Sequence, residues 1–232
     1  MEPRVIAAAV VPAYNEEKTV GGVVKTLVAS GLFREVIVVS DGSTDGTAAA
    51  AREAGATLVH ELPWNHGKGA ALSHGVMHTD APFICFFDAD LKGFTAAHAE
   101  AVLAPVAAGK CYMNMGLRDR GPFWTSLALR LPRVGGERAL RREIFDMIPG
   151  RYLAGFKVES ALEYFCQVNG LPSGVAVLPG LSIVRKYQKV GLVRAFGQYC
   201  RMWFQVIRAM IEVRLARGQF VEHGGHMSHH HR

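Results

Sequence analysis

Residues 83–93 read FICFFDADLKG, an apolar run of strand length that is followed at once by two aspartates. Phe83–Phe87 contains no charged residue, which is typical of a strand in a parallel sheet that has helices on both faces. Asp88 and Asp90 come directly after this run, and ligands of open parallel sheets bind at the carboxyl ends of the strands. The stretch therefore predicts a buried strand with a ligand-binding site at its end.

The same alternation extends outward from this stretch over the first part of the chain. Stretches of helical character separate further apolar runs of strand length, and Asn15 is predicted to cap the first helix. We therefore predict an α/β fold, a single Rossmann-like domain with a mostly parallel sheet and helices on both faces. The predicted strands are Val5–Val11, Val36–Val39, Thr57–His60, Phe83–Phe87 and Tyr112–Gly116, and the predicted helices are Glu16–Ser30, Asp45–Ala54, Lys68–His78 and Thr95–Ala108.

The rest of the chain has a less regular pattern. A short helix is predicted over Arg138–Met147 and a longer one over Val158–Val168. Gly174–Leu178 and Ser182–Tyr187 are predicted to form a hairpin. From Leu192 to Phe220, apolar residues at helical spacing alternate with arginines, which predicts amphipathic helices.

Composition and charge limit the class of protein. Half of the residues are hydrophobic and a fifth are charged, which excludes a disordered chain. Residues 181–220 carry a net charge of +7, whereas residues 1–180 carry −1. This basic segment predicts an anionic partner, either a lipid surface or a phosphorylated molecule, and gives no sign of sequence-specific nucleic-acid binding. Around Trp203 and Phe204 it could lie on a membrane surface, pack on the domain or form a homodimer interface.

Asp88 and Asp90 are candidate metal ligands. Two carboxylates two residues apart at a strand end can bind one hard cation, and Mg²⁺ or Mn²⁺ keeps coordination sites for water and phosphate oxygens. The alternative is a solvated, aspartate-rich turn.

Three more polar motifs follow predicted strands. In SDGSTDGT, residues 40–47, Asp41 could accept hydrogen bonds from a base or a ribose. In NHGKGAAL, residues 65–72, Lys68 begins a helix and could bind an anion, although the spacing is not that of a P-loop. In PAYNEE, residues 12–17, Tyr14 could pack against a base. Each motif alone is also explained as a turn or a helix start.

Together and in this order, the four motifs resemble those of the family-two glycosyltransferases, which have the A-type nucleotide-diphospho-sugar transferase fold. The resemblance covers VPAYNEE, VVSDGSTDGT, NHGKGAAL and FFDADLKG, within residues 5–95. It implies that Asp41 holds the base, that Lys68 lies near the donor, and that Mg²⁺ or Mn²⁺ binds at Asp88 and Asp90. The remaining residues that it implies for the nucleotide pocket are Pro12, Ala13, Tyr14 and Glu16.

Further along, RVGGERALRREIF and the segment with Gly155, Val158 and Glu159 resemble the acceptor region of two related groups. These groups are the polyprenyl-phosphate sugar synthases and the glucosyl-3-phosphoglycerate synthases. The resemblance implies an acceptor loop at Gly135, Gly136, Glu137 and Arg138, with Glu159 facing the acceptor. An inverting transfer would need a general base there, for which Glu159 is the first candidate and Asp119 the second, and Asp90 is the other predicted catalytic residue. Glu159 could instead be a surface residue of a helix.

Two departures concern the metal. Lys92 stands where polyprenyl-phosphate synthases often have Gln, and Ile183 stands where relatives often have His. Water could therefore replace a third protein ligand. If the acceptor is a phosphate, arginines would bind it as bidentate partners, and the candidates are Arg118, Arg138, Arg141 and Arg142.

The resemblance implies a metal-dependent hexosyltransferase that uses a UDP-sugar, or else a GDP-sugar. Its acceptor would be anionic, either a polyprenyl phosphate or a phosphoglycerate. The alternatives are a non-catalytic nucleotide-sugar-binding protein and a nucleotidyltransferase, and the expected location is the cytoplasm or the inner face of the membrane. The predicted organisation is a nucleotide-sugar half (1–118), an acceptor half of the same domain (119–190), C-terminal amphipathic helices (191–222) and a tag remnant (223–232).

Overall fold

The computed structural model describes residues 6–119, 121, 135–153, 155, 157–183 and 211–224. The strand end predicted at 184–187 and the helices predicted over 192–210 lie outside these residues, together with Trp203 and Phe204. In the described part, no helix is long and apolar enough to cross a membrane.

A seven-stranded sheet forms the centre of the fold, in the order β3-β2-β1-β4-β7-β6-β8. The first four of these strands are parallel to one another, and β6 is parallel to β8. Strand β7 is antiparallel to both of its neighbours, so that β6 runs in the same direction as β4. The strands are β1 Ala7–Ala13, β2 Glu35–Asp41, β3 Leu58–Leu62, β4 Phe83–Phe86, β5 Leu91–Lys92, β6 Met113–Arg118, β7 Arg138–Arg141, β8 Ser173–Leu178 and β9 Ser182–Ile183.

Helices cover both faces of the sheet, as predicted. Along β1, Ala7, Ala9 and Val11 belong to one buried cluster, whereas Ala8 and Val10 belong to the other. Helices α1, α2 and α4 contribute to the first cluster, and the other helices contribute to the second. The helices are α1 Val20–Ser30, α2 Thr47–Glu53, α3 Lys68–Met77, α4 Ala96–Ala107, α5 Arg142–Asp146, α6 Lys157–Val168 and α7 Arg217–Gly224, with a 3-10 turn at Gly150–Tyr152.

The predicted cap at Asn15 was wrong. Helix α1 begins at Val20, and Thr19 occupies its N-cap position. Asn15 instead has a φ of 54°, and its Oδ1 accepts a hydrogen bond of 2.8 Å from the Thr44 backbone N–H. Asparagine tolerates this left-handed conformation better than other residues that have a Cβ. The residue therefore shapes the loop after β1 rather than the helix.

The helix predicted from Arg138 was wrong over its first four residues. Arg138–Arg141 form β7, which fills the space between β4 and β6, and Ala139 and Leu140 are fully buried. Hydrogen bonding to two neighbouring strands outweighs the local helical preference of a four-residue segment. Only α5 remains helical.

The predicted hairpin was also wrong. Strand β8 joins the edge of the main sheet beside β6, and β9 pairs with β5 in a separate two-stranded sheet. In that pair Ile183 lies opposite Leu91, the residue after Asp90. After β8, at the edge of the main sheet, the chain therefore returns through β9 to the segment that follows Asp88 and Asp90.

Candidate functional site

The loops that follow β1 to β4 meet at one edge of the sheet around a cleft of about 390 Å³. All eight residues predicted for the nucleotide and the metal line this cleft: Pro12, Ala13, Tyr14, Glu16, Asp41, Lys68, Asp88 and Asp90. Tyr14 is 45% exposed, so its ring is accessible for packing against a base. The other lining residues are Asn65, Gly67, Ala71, Ala89 and Gly155, which lie within the motifs quoted above but were given no role of their own.

The Asp41 carboxylate fixes the loop that precedes α3. Its Oδ1 accepts a hydrogen bond of 2.7 Å from the His66 N–H, and its Oδ2 accepts one of 2.8 Å from the Gly67 N–H. The next residue, Gly42, has a φ of 69°, and a Cβ there would overlap the backbone of Trp64 and Asn65. Asp41 therefore has a structural role that the sequence did not reveal. Its contact with a base stays a prediction.

A second pair of loops is joined in the same way. The Asn15 N–H donates to the Ser43 hydroxyl at 3.1 Å, and the Glu16 N–H donates to the Thr47 hydroxyl at 2.8 Å. These bonds connect the loop after β1 to the loop after β2. Side-chain-to-backbone hydrogen bonds thus hold together two of the loops that meet at the cleft.

Lys68 connects the two halves of the chain. Its Nζ lies 2.7 Å from Asp88 Oδ1 and 2.9 Å from Glu159 Oε1. Burial opposes the charge of the ammonium, but the two carboxylates outweigh burial and hold the pKa of Lys68 above its ordinary value. Lys68 is also the first residue of α3, where helix N–H groups favour an anion.

Glu159 is not a surface residue. It lies in the first turn of α6, and only 10% of its side chain is exposed. The structure brings it next to Lys68, beside the metal candidates, as its predicted catalytic role requires.

Gly136 lies against the Asp88 carboxylate. A Cβ at Gly136 would stand 2.6 Å from the Asp88 carboxyl carbon, which is closer than real Cβ contacts come. The segment before β7 therefore passes directly beside Asp88, and a larger residue at position 136 would require the carboxylate or this segment to move. The predicted acceptor loop and the predicted metal site are in contact.

Glu137 is fully buried, and neither of its carboxylate oxygens has a hydrogen-bond partner among the residues that the structure describes. Arg118 Nε lies 3.8 Å from Glu137 Oε1. Burial and the nearby Asp88 raise the pKa of Glu137, whereas Arg118 and Lys68 oppose the change, and the resulting pKa is about 7. The sequence predicted Glu137 on an acceptor loop, whereas the structure places it beneath that surface.

Arg138 is also fully buried. Its Nε donates a hydrogen bond of 2.9 Å to the Gly135 carbonyl oxygen, and its terminal nitrogens contact the sulfurs of Met113 and Met115. The guanidinium is therefore turned into the protein, and the role in acceptor binding stays a prediction that the geometry does not favour.

The aspartate pair suits a hard divalent cation. Asp88 and Asp90 both line the cleft and supply carboxylate oxygens, the ligands that Mg²⁺ and Mn²⁺ prefer. Across the described ranges, no third His, Cys, Asp or Glu joins them in a ligand cluster. A site of two carboxylates would leave positions for water and diphosphate oxygens, and the absence of a third protein ligand stays a prediction.

Comparisons with known proteins show which proteins this chain resembles. Residues 8–157 match the sequence family described as Glycosyl transferase family 2. The chain is similar to a glucosyl-3-phosphoglycerate synthase from Mycolicibacterium smegmatis, at 42% identity over 187 residues. That match covers 66% of this chain and 61% of the relative, so the chain spans about three fifths of that protein's length. A 4,4'-diaponeurosporenoate glycosyltransferase from Staphylococcus aureus is 38% identical over 98 residues, which is 40% of this chain and 26% of that protein.

Solved structures show the same fold. A Mycobacterium tuberculosis glucosyl-3-phosphoglycerate synthase in complex with Mn²⁺, UDP-glucose and phosphoglyceric acid matches with a TM-score of 0.71. It is 25% identical and covers 90% of this chain and 79% of its own. The same enzyme with Mg²⁺ and UDP matches with a TM-score of 0.72, at 25% identity over 90% of this chain and 79% of its own. The predicted fold is confirmed, and so is the resemblance on which the predicted activity rests.

Proposed function

This chain belongs to glycosyl transferase family 2, and from that premise we propose that it transfers glucose from UDP-glucose to a hydroxyl group of a phosphorylated glycerate. Mg²⁺ or Mn²⁺ would be the cofactor, with Asp88 and Asp90 as its protein ligands. One observation carries the choice of acceptor. The 42% identity to a glucosyl-3-phosphoglycerate synthase covers 66% of the chain, which is more than the nucleotide-sugar half contains.

The cleft residues support binding of the donor. Asp41 orders the loop that presents Lys68, and Lys68 combines an ammonium group with the N-terminus of α3. Both features favour a diphosphate. When bound, the metal would neutralise the charge that develops on the leaving UDP. UDP is preferred to GDP because the matched tuberculosis structures contain UDP.

The carboxylate of Glu159 supports the chemical step. In the transfer, the acceptor oxygen bonds to the anomeric carbon while the bond between that carbon and the UDP oxygen breaks. The proton of the acceptor hydroxyl must pass to a base. We propose Glu159 for this role because its Oε1 is fixed by Lys68, whose Nζ also contacts Asp88. This position would put the carboxylate beside both the proposed donor site and the proposed acceptor.

The proposal is tested by a transfer assay with product identification. The protein is incubated with UDP-glucose or GDP-glucose, with Mn²⁺ or EDTA, and with 3-phosphoglycerate or a short polyprenyl phosphate. We expect a hexosyl phosphoglycerate from UDP-glucose that forms only with the metal. Transfer to the polyprenyl phosphate alone would overturn the proposed acceptor. If the folded protein transfers glucose to neither acceptor, the proposed activity is wrong.

A further inference from the structure

The four arginines considered for an acceptor phosphate lie in different parts of the fold. Strand β7 runs antiparallel to β4, so its end lies at the edge of the sheet opposite to Asp88. The Arg142 N–H donates a hydrogen bond of 2.8 Å to the Pro82 carbonyl oxygen, which precedes β4. Arg141 and Arg142 are therefore far from the cleft. Arg138 is at the correct edge, but its guanidinium is buried against methionine sulfurs.

Arg118 combines the correct edge of the sheet with a partly exposed side chain, which none of the other three does. It is the last residue of β6, which runs in the same direction as β4, so both strands end at the edge that carries Asp88. Its side chain is 19% exposed. After it, the Asp119 N–H donates to the Leu178 carbonyl oxygen at 3.3 Å, which fixes the end of the strand against β8.

The buried carboxylate of Glu137 forms an ion pair with this arginine. Arg118 Nε lies 3.8 Å from Glu137 Oε1, and the two terminal nitrogens of the guanidinium form the edge that suits a bidentate anion. The neighbouring Gly116 makes the arrangement fit, because a Cβ there would stand 3.0 Å from the Glu137 Cβ and 2.6 Å from Leu178 Cδ1. Burying a carboxylate without hydrogen bonds costs free energy. A residue that only fills space in the core would not need this charge, so we infer that Glu137 has a role beyond packing.

The spacing of the strands separates Arg118 from the donor's diphosphate. One strand, β7, lies between β4 and β6. Two strand spacings amount to about 10 Å, which leaves room for one hexose between the metal ligands and the guanidinium. An anion at Arg118 would therefore belong to the acceptor and not to the nucleotide.

We propose that Arg118, positioned by Glu137, binds the anionic group of the acceptor. This inference rests on the proposed function and extends it to the acceptor site. Arg118 contacts the anion directly, whereas Glu137 is a positioning residue that acts through Arg118. A phosphate on a glycerate and a phosphate on a polyprenyl chain present the same chemistry to the guanidinium.

Equilibrium binding tests the proposal without requiring turnover. Calorimetric titrations of UDP, 3-phosphoglycerate and farnesyl phosphate are made with Mn²⁺ on wild type, Arg118→Gln and Glu137→Gln. We expect Arg118→Gln to weaken binding of the phosphorylated acceptor about 10- to 100-fold and Glu137→Gln to weaken it less, with UDP affinity unchanged. The double variant should bind no more weakly than Arg118→Gln, because Glu137 acts through the arginine. Arg34→Gln is the matched control, because Arg34 precedes β2 at the opposite edge and pairs with Glu35 and Asp80.

The outcomes separate this inference from the proposed function. Equal binding of 3-phosphoglycerate by wild type and Arg118→Gln overturns the role of Arg118 and leaves the function intact. Binding of farnesyl phosphate alone, lost in Arg118→Gln, supports Arg118 and overturns the glycerate acceptor. If wild type binds UDP but neither 3-phosphoglycerate nor farnesyl phosphate, the inference is wrong. It is also wrong if Arg118→Gln loses affinity for UDP and for the acceptor to the same extent.

Discussion

Lys68 Nζ lies 2.7 Å from Asp88 Oδ1, so the start of α3 and the end of β4 are joined by an ion pair inside the cleft. The same ammonium lies 2.9 Å from Glu159 Oε1, in the first turn of α6. One lysine therefore holds a metal-ligand candidate and a catalytic candidate together. This ion pair therefore joins the predicted nucleotide half of the site to the predicted acceptor half.

Replacing Lys68 should separate Asp88 from Glu159, because both carboxylates contact its ammonium group. In Lys68→Met, the carboxylates of Asp88 and Glu159 lose the cation that compensates their repulsion and burial. We expect kcat/KM for UDP-glucose to fall at least about 100-fold and the free energy of unfolding to fall by about 2–4 kcal/mol. Steady-state kinetics and urea unfolding measure the two effects. Lys110→Met, in the exposed turn after α4, should change neither, and an active Lys68→Met enzyme would contradict the role of Lys68.

Gly136→Ala should damage the metal site specifically. The added methyl group would stand 2.6 Å from the Asp88 carboxyl carbon, so the carboxylate or β7 must move. We expect the affinity for UDP in Mn²⁺ to fall about tenfold or more, with a loss of about 1–3 kcal/mol in stability. Gly150→Ala is the control, since nothing lies within 4 Å of a Cβ at that position. If Gly136→Ala binds UDP as tightly as wild type, then the contact between Gly136 and Asp88 does not shape the metal site.

Glu137→Gln should change how stability depends on pH. The pKa of Glu137 is raised from its ordinary value of 4.5 to about 7, so the folded state retains the proton more strongly than the unfolded state. Its contribution to stability is present below pH 4.5 and is lost as the pH rises through 7. In EDTA, we expect Glu137→Gln to match wild type near pH 4.5 and to be about 1–3 kcal/mol more stable at pH 8. Urea unfolding at both pH values measures this difference, and a difference that does not vary with pH would contradict it.

Asp41→Asn should loosen the loop that presents Lys68. An amide can accept at only one of its two terminal atoms, so one of the bonds to the His66 and Gly67 N–H groups is lost. We expect faster hydrogen exchange at these two amides and a KM for UDP-glucose about tenfold higher. Asp80→Asn, an exposed residue before β4 at the opposite edge of the sheet, should leave both unchanged. Protected amides in Asp41→Asn would show that the loop is held by other contacts.

The sequence was sufficient to predict the location of the site. Four polar motifs follow four apolar runs, and parallel strands bring their carboxyl ends to one edge. The order of the strands is not needed to predict the location of the site, because the carboxyl ends of neighbouring parallel strands always lie at the same edge of the sheet. For this reason Asp41, Lys68, Asp88 and Asp90 were found together in the cleft.

The pairing of Arg118 with Glu137 could not be predicted in this way. It depends on the insertion of β7 between β4 and β6, and the local preference of Arg138–Arg141 favoured a helix. The role of Gly136 depends on the same insertion, because its contact with Asp88 joins residues 48 positions apart. Long-range register is a tertiary effect, and the periodicity of a single segment does not encode it.

The most direct test of this account is the binding of UDP by calorimetry, in Mn²⁺ and in EDTA, to wild type and Asp90→Ala. If Asp88 and Asp90 hold the diphosphate through a metal, wild type should bind UDP in Mn²⁺. EDTA and Asp90→Ala should each weaken that binding at least about tenfold. Equal affinity under all of these conditions, with the protein folded, would contradict the central claim that the donor is bound through a metal at these two aspartates.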